Sequence, residues 1–324
     1  MAHRSRSWQP FRALTRSQKL AAMVLSVALP LGVWAAVSYV PWIWHPLVLV
    51  EDAGGSTILQ TGDRVERAVF DGENQSLRSQ NLSAARGKPA NPVFLPAPHE
   101  VAEAFVTAFT TPPRRTDDLW LHESLGRSLQ VILWGFILSS LIGVPLGILV
   151  GAYGWVRGTV WPFVEFFRYL PAPAFGALCV AVLGIADAPK IAIIFIGTFF
   201  QQVLVIANTT AKADRTLVEA AQTLGVRGPR LLTQSVLPGI LPDLWKDQRI
   251  LLGWAWTYLI VAEVVGSSSG ITYFINQQAK YRIYDHVYAA IAMIGLLGLA
   301  MDFCLAWLGR RLFPWHRVQT QQET

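Results

Sequence analysis

Apolar stretches of membrane-crossing length, at about 20–43, 128–151, 161–183, 191–210, 243–263 and 287–309, constrain this chain more than any other feature. A helix needs roughly 20 predominantly apolar residues to cross the hydrocarbon layer, and each of these stretches is long enough or close to it. Charged residues make up 15% of the 324 positions against 52% hydrophobic ones. That is too little charge to cover a soluble surface, so most of the chain faces lipid or other buried helices. The expected fold is an all-α polytopic membrane protein with about six transmembrane helices.

The formal net charge of +6 is clustered beside apolar runs, which is a signature of membrane orientation and not of a nucleic-acid partner. Residues 1–19 carry Arg4, Arg6, Arg12, Arg16 and Lys19 with no acid, and Arg310, Arg311 and Arg317 follow the last run. The first run is longer than a signal-peptide core and is bounded by Trp42 and Trp44, so it reads as a retained span with a cytoplasmic N-terminus. Six spans then place both termini on the same side. Residues 44–120 fall outside the cell, and within them 46–92 form a polar insertion after the first helix. A hairpin is expected around Ser56–Phe70 and an irregular excursion over Gln75–Pro92, as in a dispensable solvated loop, with a docking surface for a partner as the alternative. From Leu95 a proline-started interfacial helix is expected, with Val101, Phe105 and Phe109 on one face.

Inside the spans, Gly143, Pro145, Gly147 and Gly151 allow close helix approach. Pro171 and Pro173 must break the third span, and the backbone groups they free are tolerable only against protein or a water-filled path. Arg168, Pro171, Pro173 and Phe175 are candidate path-lining residues, together with Gln201, Gln202 and Glu263; the alternative reading of the proline break is a kink used only for packing. The simpler expectations are that the two glutamines bond a neighbouring helix and that Glu263 snorkels into headgroups. Asp187–Lys190 reads as a short outer turn, residues 267–286 as an outer segment with a short helix after Gly270, and Asp302 as a carboxylate paired with a neighbouring helix or interfacial cations. The histidines, His3, His45, His99, His122, His286 and His316, fall in tails, outer loops or interfaces. Cys179 and Cys304 lie far apart in apolar segments, which indicates neither a disulfide framework nor a metal site.

One polar island interrupts this pattern, Thr216–Pro238, TLVEAAQTLGVRGPRLLTQSVLP. Thr216 and Glu219 have the form of a capping box, Gly225 suits a left-handed helix end, and Pro229 breaks the register. A short helix, a turn and a second helical piece ended by Pro238 are expected. Glu219, Ala220, Ala221, Gly225, Leu237 and Pro238 resemble, at the same spacing, the cytoplasmic "EAA" loop of the permease subunits of bacterial ABC importers. Ser235 stands where that family usually has an aliphatic residue. The lead-in LWLHESLGRSLQVILWGF and the later segments resemble the nitrate, sulfonate, taurine and bicarbonate branch.

The resemblance implies a type I ABC importer permease (MetI-like) fold in the bacterial inner membrane, with a basic tail at 1–19, a first span at 20–43, a core at 121–312, a coupling loop at 211–245 and a tail at 313–324. It also implies two copies of an ATP-binding-cassette ATPase subunit, a second copy of this chain and a periplasmic substrate-binding protein. Thr216, Glu219, Ala220, Ala221, Gly225, Leu237 and Pro238 would couple to the ATPase. Independently of that, the chain has no G-x-x-x-x-G-K-[ST], so ATP and magnesium are expected on the partner and no cofactor on this chain. No metalloprotease or hydrolase motif is present. Two other classes stay open here: a membrane-embedded sensor or enzyme with a ligand-binding insertion, and an ion-coupled secondary transporter.

Overall fold

The computed structural model describes residues 15–40, 43–113, 115, 118–265 and 269–315. Arg4, Arg6, Arg12, Trp42, His3, His316 and Arg317 lie outside them. The chain divides into two compact units, one comprising residues up to Ala108 with Gln278–Ala289, the other Phe109–Gln277 with Ala290 onward.

The first unit begins with α1 (Arg16–Tyr39), started by a capping box in which the Thr15 hydroxyl accepts from the Gln18 N–H and the Gln18 side chain accepts from the Thr15 N–H. Its apolar side chains are almost all exposed, as suits a helix solvated by lipid. Near its end, the Trp34 indole N–H donates to the Pro96 carbonyl at 3.1 Å and the Tyr39 hydroxyl meets His99 Nδ1 at 2.7 Å. These bonds fasten the span to the start of α3 (Pro98–Thr110).

Between them the insertion is folded. Strands β1 (Leu47–Asp52), β2 (Arg64–Glu66) and β3 (Arg86–Ala90) form an antiparallel sheet in the order β2-β1-β3, with α2 (Arg67–Ser79) following β2 directly. Val48 faces both Val65 and Pro89 across the sheet. Val48, Val50, Leu59, Phe70, Leu77 and Ala85 make its core. The expected hairpin at Ser56–Phe70 is absent: the chain turns from β2 into a helix at Arg67. Gln75–Pro92 is not irregular either, since it holds the end of α2 and all of β3. Gly72 and Asn74 disguised that helix in the sequence. The Asn74 side chain accepts from the Ala85 N–H at 2.7 Å and donates to the Ala85 carbonyl at 3.1 Å, so it pins the entry to β3. In α3 the side turned to the protein is made of Val101, Ala104 and Ala108, which are buried, while Phe109 is exposed.

The second unit is built on three long helices, α4 (Leu121–Ala152), α7 (Asp187–Ala211) and α10 (Leu237–Val265). Val131 and Ile132 of α4, Ile193 and Ile194 of α7, and Leu252, Leu259 and Ala262 of α10 share one core. Glycines set the α4–α7 approach as their spacing predicts. A Cβ on Gly147 would sit 2.8 Å from Ile206 Cβ and 2.9 Å from the Val203 carbonyl, and one on Gly151 2.5 Å from the Ala207 carbonyl. Gly147→Ala is therefore expected to lower stability by about 1–3 kcal/mol, the usual cost of overpacking; a thermal unfolding scan in detergent checks it. Gly295, which has open space around it, is the control position.

The third expected span is α5 (Gly154–Phe167), a break, a short 3₁₀ turn (Ala172–Phe175) and α6 (Gly176–Leu183), with the two helices bent by 83°. Pro171 and Pro173 account for the break. By length and composition α1, α4, α7 and α12 (Tyr284–Leu312) are able to span a membrane, and the bent pair adds a fifth candidate. The fifth expected span, α10, is 29 residues long but crowds Asp243, Lys246, Asp247 and Arg249 into its first half. Asp187–Lys190 is not an outer turn but the first turn of α7.

Candidate functional site

The polar island folds as α8 (Arg215–Thr223), α9 (Pro229–Leu231) and a π turn (Leu232–Val236) that runs straight into α10. Asp214, not Thr216, caps α8: its carboxylate accepts from the Thr216 N–H at 2.8 Å. The Thr216–Glu219 box is not formed, because an acid two residues earlier reaches the free N–H first. Gly225 has φ +85°, as expected. Its N–H donates to the Gln222 carbonyl and the Val226 N–H to the Ala221 carbonyl, both at 3.0 Å, which closes the helix in a Schellman turn. Gly228 reverses the chain again at φ +60° and Pro229 opens the next helix. Pro238 ends nothing: it lies in the first turn of α10, whose preceding π turn shifts the bonding register.

Leu217, Ala220, Ala221 and Leu224 recur at helical spacing and form an apolar stripe on α8. None of them is buried, and Leu224 is 84% exposed. The flanks, by contrast, are held firmly. Ile206, Ile240 and Leu244 form a buried cluster with Ala213, Val236 and Leu237 packed against it, and the Thr209 hydroxyl donates to Asp247 at 2.5 Å. The stripe is thus largely exposed on a helix whose flanking segments are packed into the fold.

The path-lining candidates separate into distinct places. Arg168 and Tyr169 project from the break, with the Arg168 guanidinium paired to Glu165 at 2.6 Å and lying 4.5 Å above the Tyr169 ring. Pro171 is exposed, Pro173 is half-buried, and Phe175 packs against the α4–α7–α10 core. Gln202 is fully buried and Gln201 is not. The Gln202 amide donates to Ser140 at 2.8 Å and to Gln248 at 2.6 Å, and its oxygen accepts from Ser139 at 2.6 Å. Three helices are thus joined by side-chain amides and hydroxyls, with Gln248 unforeseen in the sequence beside its charged neighbour. Arg249 forms a double hydrogen bond to Asp302 at 2.9 and 2.7 Å, the expected pairing of that carboxylate.

Glu263 does not snorkel. It is 1% exposed and accepts from the Ser128 hydroxyl and from the Thr272 N–H. Ser128 in turn accepts from the Ile271 N–H at 2.8 Å. The first two free N–H groups of α11 (Ile271–Lys280) are therefore satisfied by a serine of α4 and a carboxylate of α10, where a negative group also suits the helix dipole. Gly270, at φ +110°, lies against that carboxylate and a Cβ there would collide with it. Lys190, equally buried, donates to the Ser269 carbonyl and hydroxyl at 3.1 and 2.9 Å. Four elements are knotted here, roughly 16 Å along α4 from the Ser139 level at about 1.5 Å per residue. His286, expected in a solvated or interfacial position, is buried and meets the Thr107 hydroxyl at 3.2 Å. Among the described residues no His, Cys, Asp and Glu cluster is suited to a metal, and Cys179 and Cys304 are free thiols.

Residues 143–314 match the family described as binding-protein-dependent transport system inner membrane components. The chain is 33% identical, over 69% of its length and 88% of the relative's, to a probable ABC transporter permease protein of Brucella melitensis. It is 31% identical, over 70% of its length and 82% of the relative's, to the taurine transport system permease protein TauC of Escherichia coli. Its fold is similar to that of an inward-facing structure of the MetNI methionine ABC transporter, with a TM-score of 0.51 at 20% identity over 60% of this chain and 96% of that one.

Proposed function

Because the chain belongs to the family of binding-protein-dependent transport system inner membrane components, we propose that it carries a small anion across the inner membrane by alternating access driven by a separate ATPase. The observation that carries this reading is the bare stripe Leu217, Ala220, Ala221 and Leu224 on a mount continuous with α7 and α10. Such a helix seats in a groove of a partner and passes the partner's motion to the spans as a rigid tilt. Glu219, Gly225, Leu237 and Pro238 shape and fix that helix, and Thr216 lends its N–H to the cap. Two ATPase subunits carrying ATP and magnesium, a second copy of this chain and a periplasmic binding protein complete the assembly, with both termini and α8 in the cytoplasm.

Arg168, Pro171, Pro173 and Phe175 line the path where the bent helix pair opens it, with the Arg168 guanidinium held in its ion pair to Glu165. A taurine transport protein among the relatives supports a sulfonate or similarly small anion. Gln202 and Glu263 hold helices together and do not contact the solute, whereas Gln201, only half-buried, stays a path candidate.

Affinity purification of the tagged full chain from its own membranes tests this. A P-loop ATPase in stoichiometric amount is expected, together with ATP-dependent uptake in reconstituted vesicles. Uptake driven by an ion gradient with no ATPase bound would overturn it.

A further inference from the structure

Two clefts in the first unit have no part in the coupling surface or the solute path. One, of about 550 Å³, has Arg64, Glu100, Glu103, Arg282 and Asp285 in its walls. The other, of about 700 Å³, is walled by Trp44, Phe94 and Tyr284 with Glu66, Arg67 and Arg282. They share Val93, Arg282 and Tyr284. Each is large enough to take most of an organic molecule, and much larger than a small inorganic anion requires.

Arg282 is placed against local preference. The Arg282 N–H donates to the Ala279 carbonyl and the Ile283 N–H to the Gln278 carbonyl, the two bonds of a Schellman turn at the end of α11. The residue at that point takes φ +61°, a left-handed conformation normally left to glycine. An arginine there gives up backbone comfort to put a guanidinium between the clefts, where it has no ion-pair partner among the described residues. Glu103 and Asp285 are likewise unpaired, whereas Arg64 and Glu100 neutralise each other at 3.0 Å. One cleft therefore has surplus negative charge and the other surplus positive charge.

The depth of the clefts is set by their neighbours. They lie where α1 ends and α12 begins, both of spanning length. Trp34 stacks on Tyr288 with ring centroids 5.9 Å apart, and Tyr39, Trp44, Phe94 and Tyr284 lie in the same region. A belt of tryptophan and tyrosine marks the headgroup layer of a membrane.

We propose that the paired clefts bind the zwitterionic headgroup of a membrane phospholipid of the phosphatidylethanolamine type, with its phosphate on Arg282 and Arg67 and its ammonium on Glu103 and Asp285. The aromatic walls take the glycerol and the first methylenes. This site is independent of what the chain transports.

Native mass spectrometry of the detergent-purified full chain, titrated with dioctanoyl phosphatidylethanolamine, tests the assignment. Dioctanoyl phosphatidylglycerol and water-soluble phosphoethanolamine are the comparators. The ethanolamine lipid is expected to bind at least about 10-fold more tightly than either, a gain on the scale of charge-assisted hydrogen bonds. Arg282→Gly supplies the residue the turn prefers, so its unfolding temperature should hold or rise while lipid affinity falls about 10-fold or more. Glu103→Gln with Asp285→Asn should erase the preference over the glycerol lipid. Undiminished binding by Arg282→Gly, equal affinity for the glycerol lipid, or equally tight binding of soluble phosphoethanolamine would each overturn the proposal.

Discussion

Cells producing the Ala221→Glu variant are expected to lose uptake by about 100-fold or more, and the variant to stop co-purifying with the ATPase, while its level in the membrane fraction stays normal. The two halves of that result come from one geometric fact. Ala221 belongs to a helix none of whose residues is buried by this chain. Glutamate has good helix propensity, so the isolated fold has little reason to suffer. Once the stripe is covered by a partner, an unpaired carboxylate is driven into an apolar contact at a cost of several kcal/mol, and each 1.4 kcal/mol is about tenfold in affinity. Gly225→Pro should give the same split by another route. Proline fixes φ near −65° and has no N–H, so it can neither take the +85° conformation nor make the bond to Gln222. The helix end would be lost without any buried contact of the spans being touched. Stoichiometric ATPase retention by both variants would remove α8 from the coupling role.

Glu263→Ala is expected to be the most destabilising single change in the spans. It leaves the Thr272 N–H and the Ser128 hydroxyl without an acceptor in a buried site. Each unsatisfied buried donor costs roughly 1–3 kcal/mol, and the vacated side-chain volume adds to that. Glu263→Gln, which keeps one acceptor oxygen, should recover part of the loss. Thermal unfolding in detergent, read beside the Gly295→Ala control, measures the ranking. If the alanine variant melts with the wild type, the carboxylate does not hold α11 in place.

What the sequence disclosed and what it hid divide by the range of the interactions involved. The α8 region was readable because its determinants are local: Gly225, Pro229 and the apolar spacing all act within a few residues. The α4 glycines were readable for the same reason, since a run of small residues at helical spacing means close approach whichever helix approaches. Glu263 was misread because one partner, Ser128, lies 135 residues away in sequence, and the other, the Thr272 N–H, belongs to a helix beyond the end of its apolar run. An acid near the end of an apolar run looks like one reaching for headgroups until the helix it caps is seen. Lys190 was misread in the same way, as its acceptors on Ser269 are 79 residues distant. Even the Thr216 box failed on a short-range detail, because Asp214 competes for the same N–H. In the insertion, Val48, Phe70 and Leu77 are too widely scattered to advertise a core until the sheet brings them together.

The direct run from α9 through the π turn into α10 has a mechanical corollary. From Pro229 to Val265 no loop intervenes, a contour of roughly 55 Å at about 1.5 Å per residue that passes through the π turn and Pro242. Glu263 sits almost at its far tip. A small displacement where α8 joins this run is therefore carried along it toward the carboxylate that holds α11.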